Sequence, residues 1–204
     1  MIAIVDYGSG NVSAIADIFK RLKLPHTITR DHAELKVADR FVLPGVGAFD
    51  TTMRTLKESG LIGVLSDEVQ GRGKKIMGVC VGMQILGDSS DEGVLPGLGW
   101  IPGHIRRIDS STINGLPKLP HMGWNSVNIK RDSPLFEGVD PERGFYFLHS
   151  YYFDANDSES VLATVDYGNK LPCVVGSGNV FGFQFHPEKS HSNGMAVFRN
   201  FSLL

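Results

Sequence analysis

Lys75-Ile76-Met77-Gly78-Val79-Cys80-Val81-Gly82-Met83-Gln84 decides the reading of this chain. An apolar run ends in Gly-Val-Cys, and a second glycine follows at once. Gly-x-Cys-x-Gly has the form of the Gly-x-Ser-x-Gly turn, which lifts a nucleophile onto a sharp corner between a strand and a helix. Small neighbours let the backbone turn and let a substrate reach the sulfur. A helix starting at Val81 would aim its free N–H groups at the thiol and favour the thiolate, the reactive form. The same five residues also fit a buried cysteine at the end of a core strand, because free cysteine is among the most buried residue types.

A cysteine nucleophile needs a base, and the base needs an orienting group. Phe183-Gln184-Phe185-His186-Pro187-Glu188 offers both, as an alternating strand that ends in a histidine with a carboxylate two residues on. His186 can take the proton of Cys80 and return it to a leaving amine. Glu188 can hold the other ring nitrogen and fix the tautomer. Pro187 ends the strand and stiffens the link. A surface strand end with an incidental charge would read the same way. Attack on an amide also places negative charge on its oxygen, which backbone N–H groups must meet. Val81, directly after the nucleophile, supplies one. The glycines of Pro44-Gly45-Val46-Gly47 suit either a second donor, through Val46 or Gly47, or a plain turn.

The 204 residues suffice for one domain, taken as residues 1–204, with a core that needs no staples. A hydrophobic share of 42% and a charged share of 21% are those of an ordinary globular protein. A formal charge of −2 without a basic run gives no sign of nucleic-acid binding. Two cysteines, Cys80 and Cys173, without a paired framework indicate a reducing compartment. Met1-Ile2-Ala3-Ile4-Val5-Asp6 is too short and too acidic for a signal peptide, and no stretch approaches a membrane span. The expectation is a cytoplasmic protein with no membrane partner. The histidines are scattered without ligand spacing, so neither a metal nor an organic cofactor is expected.

Apolar Ile2–Val5 reads as a first strand, followed by a glycine-rich turn and a helix with Val12, Ile15, Ile18, Phe19 and Leu22 at helical spacing. Gly8-Ser9-Gly10 is followed by Ser13 where a dinucleotide loop would carry glycine or alanine, so a tight strand-to-helix turn fits better. Strands are predicted at 26–29 and 40–43, with helices near 53–56 and 61–69. Alternation of strand and helix through Cys80 predicts an α/β fold with an open, mostly parallel central sheet and helices on both faces. Sites in such sheets lie at the carboxyl ends of strands, where Cys80 and Pro44–Gly47 both fall. After Gly87 the runs 104–108 and 124–129 alternate and predict an added antiparallel strand layer. A strand at 145–148 ends at His149. A hairpin around Gly178-Asn179 and a final helix near 195–201 complete the chain. Gln84, four residues after Cys80, shares its helix face.

Gly78–Gln84 with the distant His186-Pro187-Glu188 resembles the class I glutamine amidotransferases. Asp6–Asn11, Pro44–Phe49, Pro120-His121-Met122-Gly123-Trp124-Asn125 and His149-Ser150-Tyr151-Tyr152 narrow the likeness to the glutaminase subunits of imidazole glycerol phosphate synthases. The resemblance spans essentially the whole chain, with Val81 standing where the family more often has leucine. It implies hydrolysis of L-glutamine by a Cys80–His186–Glu188 triad, with oxyanion donors at Val46 or Gly47 and at Val81. It implies a glutamine pocket that includes Gln84, Glu92, His149, Ser150 and Tyr151. It further implies a heterodimer with a (β/α)₈-barrel cyclase, which receives the ammonia and converts PRFAR to imidazole glycerol phosphate and AICAR in histidine biosynthesis. Asn11, Trp124 and Lys189 are the expected partner face, though Trp124 also suits a core aromatic. The alternatives are an amidotransferase serving an anthranilate, aminodeoxychorismate or guanylate synthase, a non-catalytic regulatory subunit, and a cysteine hydrolase on a related sheet.

Overall fold

A computed structural model describes residues 1–115 and 118–204. Strand β1 (Ile2–Val5) is wholly buried and leads through the Asp6–Asn11 turn into helix α1 (Val12–Arg21), whose Ile15, Ile18 and Phe19 face the core. Strand β2 (His26–Thr29) follows, then α2 (His32–Val37), whose first N–H groups bond the Asp31 carboxylate. Next come β3 (Arg40–Gly45), α3 (Phe49–Glu58) and α4 (Leu61–Ser66). Strand β4 (Lys75–Cys80) then runs into α5 (Val81–Gln84), a single turn and not an extended helix. That turn carries less dipole than a long helix, so its contribution at Cys80 rests on nearby N–H groups.

The second half is built from short strands: β5 (Ser89–Ser90), β6 (Gly103–Arg107), β7 (His121–Asn125), β8 (Asn128–Ile129), β9 (Phe145–His149), β10 (Tyr151–Ala155), β11 (Val161–Tyr167), β12 (Asn169–Ser177) and β13 (Val180–Phe183). Helix α6 (His191–Leu203) ends it. The central sheet has the order β2-β1-β3-β4-β13-β12-β11-β8. Its first five strands pair in parallel, and its last three join antiparallel. β10-β6-β5 and β7-β9 form two smaller sheets. Helix α1 packs on α6, whereas α3 packs on α4 and α5, and α2 on α4. The right-handed crossovers that parallel strands favour would put α1 on one face of this sheet and α2 to α4 on the other.

Two boundaries differ from expectation. The alternating run 124–129 is two strands in two sheets. It breaks at Val127, whose side chain is buried and whose N–H bonds Pro141 instead of a ladder partner. Strand β13 (Val180–Phe183) stops at Phe183, short of the alternating run that continues toward His186. Gln184 still donates to the Cys173 carbonyl, but His186 donates to Tyr146 on β9, so the chain crosses from the central sheet to the β7-β9 pair. Phe185 anchors that crossing by stacking on Phe145 at 3.7 Å between centroids. Among the described residues, no helix is long and apolar enough to cross a membrane.

Candidate active site

Cys80 occupies the corner between β4 and α5 with φ +56° and ψ −116°, a backbone state that L residues rarely adopt. The corner is held by close packing of glycine on backbone. A Cβ on Gly82 would come within 2.0 Å of the Leu43 carbonyl oxygen. One on Gly78 would lie 2.4 Å from the Gly82 oxygen, and one on Gly45 2.3 Å from the Gly82 nitrogen. The ends of β3 and β4, paired through Gly45 and Cys80, thus clamp the turn. The result is a cysteine that is buried yet lines a cavity of about 310 Å³. Cys173, the other cysteine, has the opposite setting: it is fully buried inside β12, and burial pushes its thiol far up.

His186 arrives from the other side of the cavity. Its Nδ1 lies 2.9 Å from Glu188 Oε1, and both side chains are almost sealed from solvent. The turn that carries them is stiffly mounted. Ser190 Oγ donates to the His186 carbonyl and accepts from the Tyr146 N–H. A Cβ on Gly194 of α6 would come within 1.7 Å of the Pro187 oxygen, so the helix sits directly on the turn. Burial disfavours the imidazolium, but hydrogen bonding and charge from Cys80 and Glu188 outweigh it and hold the His186 pKa at about 10. With Nδ1 committed to Glu188, Nε2 is the nitrogen available to Cys80. Glu188 Oε2 is buried without a hydrogen-bond partner among the described residues.

Val46, Gly47 and Val81 line the same cavity. The Val46 carbonyl accepts from Ser9 Oγ at 3.3 Å and Thr52 Oγ1 at 3.4 Å. In a trans peptide the Gly47 N–H then points the opposite way, and Gly47 takes the positive φ, +94°, that suits glycine. Gln84, Glu92, His149, Ser150 and Tyr151 line the cavity too, together with Pro120 and Leu148, for which the sequence suggests no role. Glu92 Oε2 accepts the first N–H of α3 from Phe49 at 2.8 Å.

His149 is not free to offer a ring nitrogen to a ligand. Its Nδ1 bonds the Tyr151 carbonyl at 2.8 Å and its Nε2 meets His121 Nδ1 at 2.9 Å. Burial pushes its pKa down to about 3 and that of His121 to about 4, so both rings are neutral. His149 therefore presents only its backbone and ring edge to the cavity.

Of the expected partner face, Lys189 also lines the cavity, with Nζ 5.5 Å from the Tyr146 ring centroid. Asn11 is exposed on the loop after β1. Trp124 is no core aromatic: it is 44% exposed and stacks on His191 near the chain surface. Among the described residues no group of three His, Cys, Asp or Glu is placed to hold a metal ion.

Two buried polar residues just behind the cavity wall carry no role in the sequence reading. His121 lies inside a quoted motif but had no role. Alternation makes Gln184 the polar half of a strand, yet it is fully buried, with Nε2 4.0 Å from the Cys80 sulfur. A polar residue between two phenylalanines, two positions before His186, is the available signal.

The family model for Glutamine amidotransferase class-I matches residues 3–203. The imidazole glycerol phosphate synthase subunit HisH of Bdellovibrio bacteriovorus is 49% identical over 204 residues, covering 99% of each chain. HisH 2 of Pseudomonas aeruginosa is 43% identical over 201 residues, 98% of each. Among solved structures, PurLQS of Thermotoga maritima superposes with a TM-score of 0.70 at 20% identity, covering 98% of this chain and 96% of that one, a likeness of fold.

Proposed function

From the premise that the chain belongs to the class-I glutamine amidotransferase family, we propose that it hydrolyses L-glutamine with Cys80, His186 and Glu188 and supplies ammonia within an imidazole glycerol phosphate synthase. The observation that carries the site is the convergence of the Cys80 elbow and the His186–Glu188 pair on one cavity. Full-length relatives named as HisH carry the choice of synthase.

Cys80 thiolate attacks the side-chain amide carbon of glutamine. The oxygen gains the negative charge and is met by the N–H groups of Val81 and of Val46 or Gly47. His186, held protonated by its two acidic neighbours, gives its proton to the departing nitrogen. Ammonia leaves and a glutamyl thioester remains on the sulfur. The now neutral His186 takes a proton from water, the hydroxide attacks the thioester, and glutamate and Cys80 thiolate are released with His186 again protonated. Glu188 keeps the tautomer throughout.

Gln84, Glu92 and the 149–151 segment bind the amino-acid end of glutamine, His149 through its backbone. A (β/α)₈ cyclase forms the partner of a heterodimer, in contact with Asn11, Trp124 and Lys189, and uses the ammonia to convert PRFAR to imidazole glycerol phosphate and AICAR. Residues 1–204 act as one amidotransferase domain in the cytoplasm, where the two thiols stay reduced.

The test is Cys80→Ala assayed in complex with the co-purified partner. Glutamine-dependent turnover falls by a factor on the order of 10³ or more, whereas synthase activity with added ammonium persists. Glutamine turnover retained in Cys80→Ala rejects the nucleophile; failure of a cyclase to co-purify rejects the choice of synthase.

A further inference from the structure

Gln184 has no exposed surface and lies between Phe183 and Phe185, both equally sealed. An amide buried without partners is costly, so its contacts are the place to look for its purpose. They are polar and directional at both ends. Oε1 accepts from Gln84 Nε2 at 3.1 Å, and Nε2 points at the Cys80 sulfur, 4.0 Å away.

The directions of the imidazole and amide hydrogens here follow from one fixed acceptor, whereas the Cys80 thiol can itself donate to the Leu148 carbonyl, 4.0 Å from the sulfur. The Tyr151 carbonyl can only accept, so His149 carries its hydrogen on Nδ1. His149 Nε2 is then the acceptor for the Nδ1–H of His121, whose own Nε2 faces the Asn125 amide at 3.3 Å. The same Tyr151 carbonyl takes one hydrogen of Gln84 Nε2 at 3.4 Å, and Gln184 Oε1 takes the other. Both hydrogens of the Gln84 amide are thereby spent. Its Oε1 is left as the group offered to the cavity that Gln84 lines. Turning the Gln184 amide over would set two N–H donors against each other at Gln84 and an oxygen lone pair against the sulfur.

We propose that Gln184 is a positioning residue of this site: it holds Gln84 as a pure acceptor toward the cavity and directs an N–H at the Cys80 thiolate. The inference rests on the glutaminase reading above. An acceptor there selects the ammonium end of an amino acid and rejects its carboxylate, while an N–H beside the sulfur favours the charged nucleophile.

Two substitutions separate the halves. Gln184→Glu still accepts from Gln84 but sets a carboxylate against the sulfur. Gln184→Met fills similar space and removes both contacts. The pH dependence of Cys80 alkylation by iodoacetamide is followed on the isolated full chain by mass spectrometry of the Cys80 peptide, which separates it from Cys173. Glutamine kcat and KM are measured in the partner complex. The alkylation midpoint moves up by about one pH unit or more in Gln184→Glu and by less in Gln184→Met. KM stays within about twofold in Gln184→Glu and rises about tenfold in Gln184→Met, the loss of one charge-assisted hydrogen bond. An unchanged midpoint in either folded variant, or an unchanged KM in Gln184→Met, overturns the proposal. If Gln184→Glu does not fold, Gln184→Met is read alone by the same criteria. Failure of the glutaminase reading shows separately, as wild-type chain without Cys80-dependent turnover.

Discussion

Two buried histidine sites flank one cavity and are tuned in opposite directions. His186 shares its burial with Glu188 and Cys80 and keeps its proton to about pH 10. His121 and His149 have each other, a carbonyl, an amide and aromatic rings as neighbours, with the charge on His186 further opposing protonation of His149, and stay neutral down to about pH 4 and pH 3. Desolvation acts on all three in the same sense. What differs is whether an acidic group comes with it. The charged site can pass a proton to a leaving amine; the neutral pair can only hold geometry.

That contrast breaks most visibly at Glu188. Glu188→Gln leaves His186 buried with Cys80 as its one remaining acidic neighbour, and its pKa falls from about 10. The tautomer is no longer fixed, so glutamine kcat drops on the order of 10²–10⁴-fold. A pH–rate profile together with the imidazole titration by NMR checks both. A high pKa retained in Glu188→Gln would show that the carboxylate is not what separates the two sites.

The neutral pair is tested through stability. His121 and His149 are held below the ordinary value of 6.5 in the folded chain, so the unfolded chain takes up protons first as pH falls. Their contribution, present above pH 6.5, is lost toward pH 4. Urea unfolding at pH 6.5 and 4.5 should show a loss of roughly 2 kcal/mol for each imidazole. His121→Phe, which keeps the stacking surface beside Phe147 and Tyr167, removes one such contribution and flattens the slope by about half. His186 has the opposite sign: its contribution is full below pH 6.5 and fades as pH rises toward 10. A pH-independent stability between 6.5 and 4.5 would contradict the neutral assignment.

The smallest effect concerns the outer side of the neutral pair. Strand β7, which carries His121, exposes Met122 and Trp124. Trp124→Ala should weaken binding to the cyclase by up to about tenfold, read by titration of complex formation, with kcat at saturating partner within about twofold. A large loss of kcat at saturation would mean that β7 reaches the chemistry and does not serve the interface alone.

The Cys80 turn and the His186–Glu188 pair were legible as geometry because each is local. Glycines around Cys80 and a proline between His186 and Glu188 write backbone geometry into adjacent residues. The parallel half of the sheet was legible for the same reason, since alternating buried strands and amphipathic helices repeat at short range. The second half was harder. The run 124–129 gave one alternation, and nothing within it told that Val127 would leave the ladder for Pro141. Gln184 was hidden by the same rule that finds strands: alternation assigns a polar residue to the solvent face, and here that face is closed by Gln84 and the sulfur.

The sequence by itself determined which side chains could do chemistry and where the backbone must turn, because φ preference, ring closure and the lack of a Cβ are properties of single residues. Only the tertiary structure decided which histidine is charged, which nitrogens are already spent and which way each amide faces. Those are set by desolvation and by partners up to about a hundred residues away, and no window along the chain contains them.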